Sequence, residues 1–137
     1  MSLVRIVTLV FGVVYVLVGI LGFLGEPIVT DASHAEMESA SGDLLGIFPI
    51  NALHNVVHLL IGAALLYGST EHGRAVLMAR IVGGVYAVVG LLGLVAPDTF
   101  GLMPIGGADV LLHLGSAAVL LGVTYINPER DDARAVS

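Results

Sequence analysis

The chain has 137 residues, 57% of them hydrophobic and 12% charged, a net charge of −6, no cysteine, and five basic residues that are all arginine. Ordinary soluble domains are roughly a quarter charged, and a soluble globule this small cannot hide so much apolar surface, so the expected solvent for most of it is lipid. The acidic balance argues against nucleic acid and polybasic lipid recognition, and the missing cysteines exclude disulfides, thiolate metal sites and cysteine nucleophiles.

Taken in chain order, the first apolar run is Leu3 to Leu24, long enough for the roughly 20 residues that cross a hydrocarbon core. Arg5 in front of it imitates a signal peptide. The run is longer than a signal core, however, and its pattern of Gly12, Tyr15, Gly19 and Gly22 recurs further on, so it is read as a mature helix. Residues 25–48 form an acidic loop with Glu26, Asp31, Glu36, Glu38 and Asp43; the apolar return over 44–50 suggests a short surface helix re-entering the membrane. The second span, 52–67, is the shortest and carries His54, Asn55 and His58 behind a capping Asn51.

The third span, 75–95, contains Gly83, Tyr86, Gly90 and Gly93 at the spacing of the first span's set. Residues at these intervals share a helix face, and small residues there let helices pack closely in lipid, so both stripes are read as helix contact faces. Arg80, about one turn inside, is expected to snorkel to the interface. The fourth span, 108–126, places Asp109 in its first turn and His113 one turn later, and a short polar tail covers 127–137.

Runs this long without strand-like alternation leave helices as the spanning element. Arg5, Arg74, Arg80, Arg130 and Arg134 all fall on one side of a four-span arrangement, so both termini are expected to be cytoplasmic, with an acidic outer face. The segment Gly46-Ile47-Phe48-Pro49-Ile50-Asn51 matches Gly101-Leu102-Met103-Pro104-Ile105-Gly106, and continuing in register His54 matches Asp109 and His58 matches His113. The predicted fold is all-α: an integral membrane four-helix bundle, one domain, made of two tandem helical hairpins related by a pseudo-twofold axis along the membrane normal.

His54, His58, Asp109 and His113 form two pairs spaced one turn apart on their helices, within roughly 10 Å of the outer ends of the spans. Tyr15 and Tyr86 lie at nearly the depth of His58 and His113, and hydrogen bonds from Tyr15 to His58 and from Tyr86 to His113, or the crossed pairing, are predicted to satisfy their hydroxyls. With Asn51 and Asn55 these residues can act as polar glue between helices. Alternatively, three imidazoles and a carboxylate match the ligand preferences of zinc or iron, and His58 and His113 could be paired axial ligands of a haem. A proton or solute path is a third reading, but no polar residues continue the cluster through the inner half beyond Thr8 and Arg80.

The segment Phe48 to Gly62, and within it Asn51-Ala-Leu-His-Asn-Val-Val-His58, resembles the hallmark of the DUF4383 family of prokaryotic membrane proteins. The likeness extends through the third span and over Pro104 to Gly115, with Asp109 and His113 in place. The resemblance implies a four-helix membrane protein of bacterial or archaeal origin and brings no activity with it. No serine nucleophile, phosphate loop or paired-acid constellation is present. The expectation is therefore a noncatalytic structural, accessory or interaction subunit of a prokaryotic cytoplasmic membrane, without cofactor. Its partner is the lipid bilayer, joined in the wider reading by further copies or a membrane complex. A metal- or haem-binding protein is the alternative.

Overall fold

A computed structural model of the chain describes residues 1–24, 27–33 and 41–126. Glu26, Glu36, Glu38, Arg130 and Arg134, on which part of the charge argument rests, lie outside the described residues. Four helices dominate: α1 (Leu3–Leu21), α2 (Ala52–Gly68), α3 (His72–Val95) and α4 (Ala108–Ile126). Among the described residues α1, α3 and α4 are long and apolar enough to cross a membrane, the signature of a membrane protein, while α2 has 17 residues. At 1.5 Å per residue α2 still reaches about 26 Å.

Successive helices form two closely packed pairs, α1 on α2 and α3 on α4, with looser seams between α2 and α3 and between α1 and α4. Glycines set the close approach. A Cβ at Gly12 would stand 2.9 Å from Leu66, and one at Gly19 2.8 Å from the Asn55 carbonyl and Leu59. In the other pair, a Cβ at Gly83 would stand 2.8 Å from Leu121, and one at Gly90 2.7 Å from Leu114. Inside the bundle Val4, Leu65, Val76, Ala79, Leu120 and Val123 are buried, whereas Val10, Leu60, Val88, Leu91 and Leu111 project outward. An apolar exterior around a close-packed interior is what lipid surroundings allow. Arg80 is exposed.

At the end of the bundle that carries the terminus of α1, the chain is tied by Arg5 Nε donating to the Ser69 carbonyl at 2.8 Å and by the His72 ring meeting the Ser2 hydroxyl at 2.7 Å. The opposite end differs from expectation. Residues 44–50 do not form a surface helix; they turn and pair. Strands β1 (Val29–Ser33), β2 (Ser41–Leu44) and β3 (Phe48–Ile50) make an antiparallel sheet in the order β1-β2-β3. Pro49 lacks an N–H and disfavours helix at the residue before it, and it sits on the edge strand where a proline is tolerated. The turn between β2 and β3 is made by Leu45 and Gly46 with positive φ of 55° and 71°. Val29, Leu44 and Ile50 are buried together, with Val18 and Leu21 of α1 packed against them, so the sheet caps the mouth of the bundle.

Candidate functional site

The polar residues meet below that sheet. Asn51 starts α2, its side-chain oxygen accepting from the His54 backbone N–H at 2.8 Å while its amide donates to the Leu102 carbonyl at 2.9 Å. One side chain thus fixes the first turn of α2 and ties it to the loop before α4. That first turn aims His54 inward, 3% exposed, and His58 follows one turn later on the same face. Asp109 and His113 repeat the spacing on α4 and are also buried. Gly22 makes room for Asn55: a Cβ there would lie within 2.4 Å of the Asn55 Cγ.

Five rings close into a circuit drawn from all four helices. His54 meets His58 with centroids 4.7 Å apart, His58 meets Tyr15 at 5.5 Å, Tyr15 meets Tyr86 at 5.3 Å, Tyr86 meets His113 at 5.0 Å, and His113 returns to His54 at 6.2 Å. Phe11 packs edge-on against Tyr15 at 5.6 Å. Tyr15 is paired with His58 and Tyr86 with His113, but through ring contacts. The predicted tyrosine–histidine hydrogen bonds are not made. Tyr15 and His58 meet tilted at 54°, and Tyr86 and His113 meet edge to face at 85°.

Polar capacity is consequently left over. Among the described residues, Tyr15 Oη, Tyr86 Oη, His54 Nδ1, both nitrogens of His58, His113 Nδ1, Asn55 Nδ2 and Asp109 Oδ2 are buried without a hydrogen bond of normal geometry. The Tyr15 hydroxyl lies close enough to Ser116 and Tyr86 to interact with both. His54, His58 and His113 each offer a ring nitrogen within 4.8 Å of the other two. Asp109 Oδ2 stands 3.8 Å from His54 Nδ1, too far for a hydrogen bond but near enough for one ion to serve both.

Of the residues picked out in the sequence, His54, His58, His113, Asp109, Tyr15 and Tyr86 come together. Asn51 and Asn55 act at the rim, as a cap and as a wedge between α1 and α2. Gly12, Gly19, Gly22, Gly83, Gly90 and Gly93 all lie where a side chain would strike the neighbouring helix or loop. Sequence reasoning passed over Ser116, three residues after His113 and thus on the same face of α4; that spacing was the available signal. It also passed over Met103 of the loop before α4, which closes a small cavity of about 40 Å³ beside His54, His58 and Tyr86.

Four apolar helices enclosing three imidazoles, a carboxylate and two phenols define a membrane-type helical bundle with a buried polar centre. Residues 5–126 match the family described as Domain of unknown function (DUF4383), and the chain belongs to that family. No curated protein and no solved structure matches it.

Proposed function

We propose that the chain is a noncatalytic four-span membrane protein whose centre binds one divalent transition-metal ion, zinc or iron(II), through His54, His58 and His113, with Asp109 completing or orienting the set. The observation carrying this reading is the trio of imidazoles offering nitrogens within 4.8 Å of one another in an apolar bundle, each ring with at least one nitrogen buried without a hydrogen bond of normal geometry. Polar glue between helices consists of hydrogen bonds, and these groups form none with each other. Each unpaired buried polar group costs about 1–3 kcal/mol, and a single cation would relieve several at once. Nitrogen ligands at about 2.0–2.1 Å from zinc lie roughly 3.4 Å apart, so modest side-chain rotation closes the gap. Imidazole with carboxylate suits zinc and iron, and the absence of cysteine leaves no softer donor. A haem fits less well, because Tyr15, Tyr86 and His54 stand against His58 and His113 where a macrocycle would have to lie.

The site is read as the meeting point of two hairpin repeats about a pseudo-twofold axis along the membrane normal. Contacts supporting this come in register: Gly12 faces Leu66 as Gly83 faces Leu121, and Gly19 faces Leu59 as Gly90 faces Leu114. Arg5 and Arg74 lie at the end bearing the start of α1, with Arg80 about two turns further along α3 in the same half of the bundle. That grouping supports a cytoplasmic-membrane protein of bacterial or archaeal type with both termini inside and the metal site in the outer half. Association with further copies or a membrane complex is compatible with its apolar exterior.

Metal analysis of chain purified into lipid nanodiscs and offered zinc or iron(II) tests the reading. One equivalent per chain is expected, lost in His54→Ala and His113→Ala. Wild-type chain that stays metal-free would overturn the site and leave a purely structural bundle, and a Soret absorption band would favour haem instead.

A further inference from the structure

A cavity of about 200 Å³ opens beside the cluster, in the loose seam between α1 and α4. Its walls are Val10, Phe11, Val14 and Val18 of α1 with Leu112 of α4, and its floor is Tyr15, His58, Tyr86, Asp109, His113 and Ser116. Val10, Val14 and Leu112 are 53%, 45% and 50% exposed on the outside of the bundle, so the mouth faces laterally, toward acyl chains in a membrane. Counting along α1, Val10 lies roughly 17 Å from the loop end of the helix. The cavity therefore runs from the ring circuit toward the middle of the bilayer.

The seam between α2 and α3 holds its counterpart under the proposed repeat. There Val57, His58, Ile61, Val85, Tyr86 and Val89 stand where Leu112, His113, Ser116, Val14, Tyr15 and Val18 stand in the first, leaving about 40 Å³ beside the rings, while a separate cavity of about 230 Å³ lies further along the seam between Leu60, Ile61, Ala64, Met78 and Val82. Ile61 fills the position that Ser116 leaves open, and Met103 closes the rest. Both seams thus keep a space, but the one between α1 and α4 reaches the ring circuit and has a hydroxyl beside it, whereas the larger one between α2 and α3 is lined by aliphatic and methionine side chains.

We propose that the α1/α4 cavity is a lipid-accessible binding site for the ring head of a quinone. An apolar cavity of about 150 Å³ accommodates benzene, so this one suits a single substituted six-membered ring. Phe11, Tyr15 and Tyr86 offer aromatic edges and faces to it. The Tyr15 and Tyr86 hydroxyls, buried without a hydrogen bond of normal geometry, and the Ser116 hydroxyl supply donors. A quinone head brings only carbonyl acceptors, the complement of those donors, and it is uncharged. A fatty-acid carboxylate would have to be desolvated beside Asp109. The apolar chain of the quinone would leave between Val10, Val14 and Leu112 into the membrane. Binding alone is proposed here, with no electron transfer.

Decylubiquinone titrated calorimetrically into chain reconstituted in nanodiscs, against empty nanodiscs, provides the test. Saturable binding of one molecule per chain is expected. Ser116→Ile, which installs the residue at the matching position of the α2/α3 seam and fills the space beside the rings, should abolish it while leaving any metal content unchanged. Tyr15→Phe removes a donor without filling space and should weaken binding roughly fivefold, the equivalent of one neutral hydrogen bond. Absence of saturable binding, undiminished binding by both variants, or equal competition by decanoic acid would each overturn the proposal. Since the quinone contacts are made by phenols and a hydroxyl, a metal-free chain that binds decylubiquinone would sink the metal reading alone. A metal-loaded chain that ignores it would sink this one alone.

Discussion

Gly93→Ala isolates the steric requirement that brings the α3–α4 pair together above the site. Gly93 is in the last turn of α3, and a Cβ there would lie 2.5 Å from the Ile105 carbonyl oxygen and 2.9 Å from Val110 Cγ2. Ordinary contact begins near 3.4 Å, leaving the methyl group about 0.9 Å too close to the backbone oxygen. That oxygen cannot swing aside, because Ile105 N–H and the following Gly106 N–H both donate to the Pro97 carbonyl, at 2.8 and 3.0 Å, and Ile105 is buried. Forced overpacking of this kind costs about 1–3 kcal/mol. Gly84→Ala is the matched control, since it lies in the same helix with nothing within 4 Å of the new methyl. Both substitutions gain the same helix propensity, up to about 1 kcal/mol in water, and the difference between them measures packing. Equilibrium unfolding in mixed micelles, followed by far-ultraviolet circular dichroism, should find Gly93→Ala less stable than Gly84→Ala by about 1–3 kcal/mol. Equal stabilities would refute the claim that glycine at this position is demanded by the loop carbonyl.

Asn51→Ala should destabilise the chain by about 1–2 kcal/mol in the same assay, because it removes both the cap on the first turn of α2 and the tie to Leu102. Asp109→Asn should weaken zinc binding roughly 10- to 100-fold in competition with a chromogenic chelator, the usual effect of losing an orienting carboxylate. With no native cysteine, Gly73→Cys provides a single thiol in open space at the start of α3. It should react with an impermeant maleimide in inverted vesicles and not in intact cells, and the opposite pattern would reverse the orientation.

The four helices were legible because each is an apolar run of membrane-crossing length, a one-dimensional property. Their ends were less so. α1 stops at Leu21 rather than continuing to Leu24, and α3 begins at His72 in a polar segment that hydropathy alone would exclude. Residues 44–50 misled because an apolar stretch after a polar one has the same composition as strand or surface helix. Pro49 and Gly46 carried the local signal for a turn and an edge strand, and the partner strand Val29–Ser33 lay too far away in sequence to be paired by inspection. At the site, helical spacing put His54 with His58 and Asp109 with His113. Depth counting matched each tyrosine to its histidine. Ring orientation was beyond reach, since it depends on how four helices rotate against each other, and that rotation turned the expected hydrogen bonds into ring contacts.

Under the proposed repeat, differences between the hairpins are more informative than their likenesses. The packing positions coincide: Gly12 with Gly83, Gly19 with Gly90, Leu59 with Leu114 and Leu66 with Leu121. The tyrosines and the inner histidines coincide as well. Among the pairs that touch the centre, two diverge: His54 against Asp109 and Ile61 against Ser116. Two histidines facing each other across an axis would repel when charged, whereas His54 facing Asp109 at 3.8 Å can share a cation. An isoleucine in place of Ser116 would fill the part of the α1/α4 seam beside the rings, as Ile61 does in the α2/α3 one. Replacing Asp109 by His and Ser116 by Ile together would restore the symmetry of both pairs. That variant should fold with stability close to wild type while losing both the carboxylate beside His54 and the open cavity. The three imidazoles stay and a fourth nitrogen ligand joins them, so metal should still bind; quinone binding retained by this variant would place the ring site elsewhere in the chain.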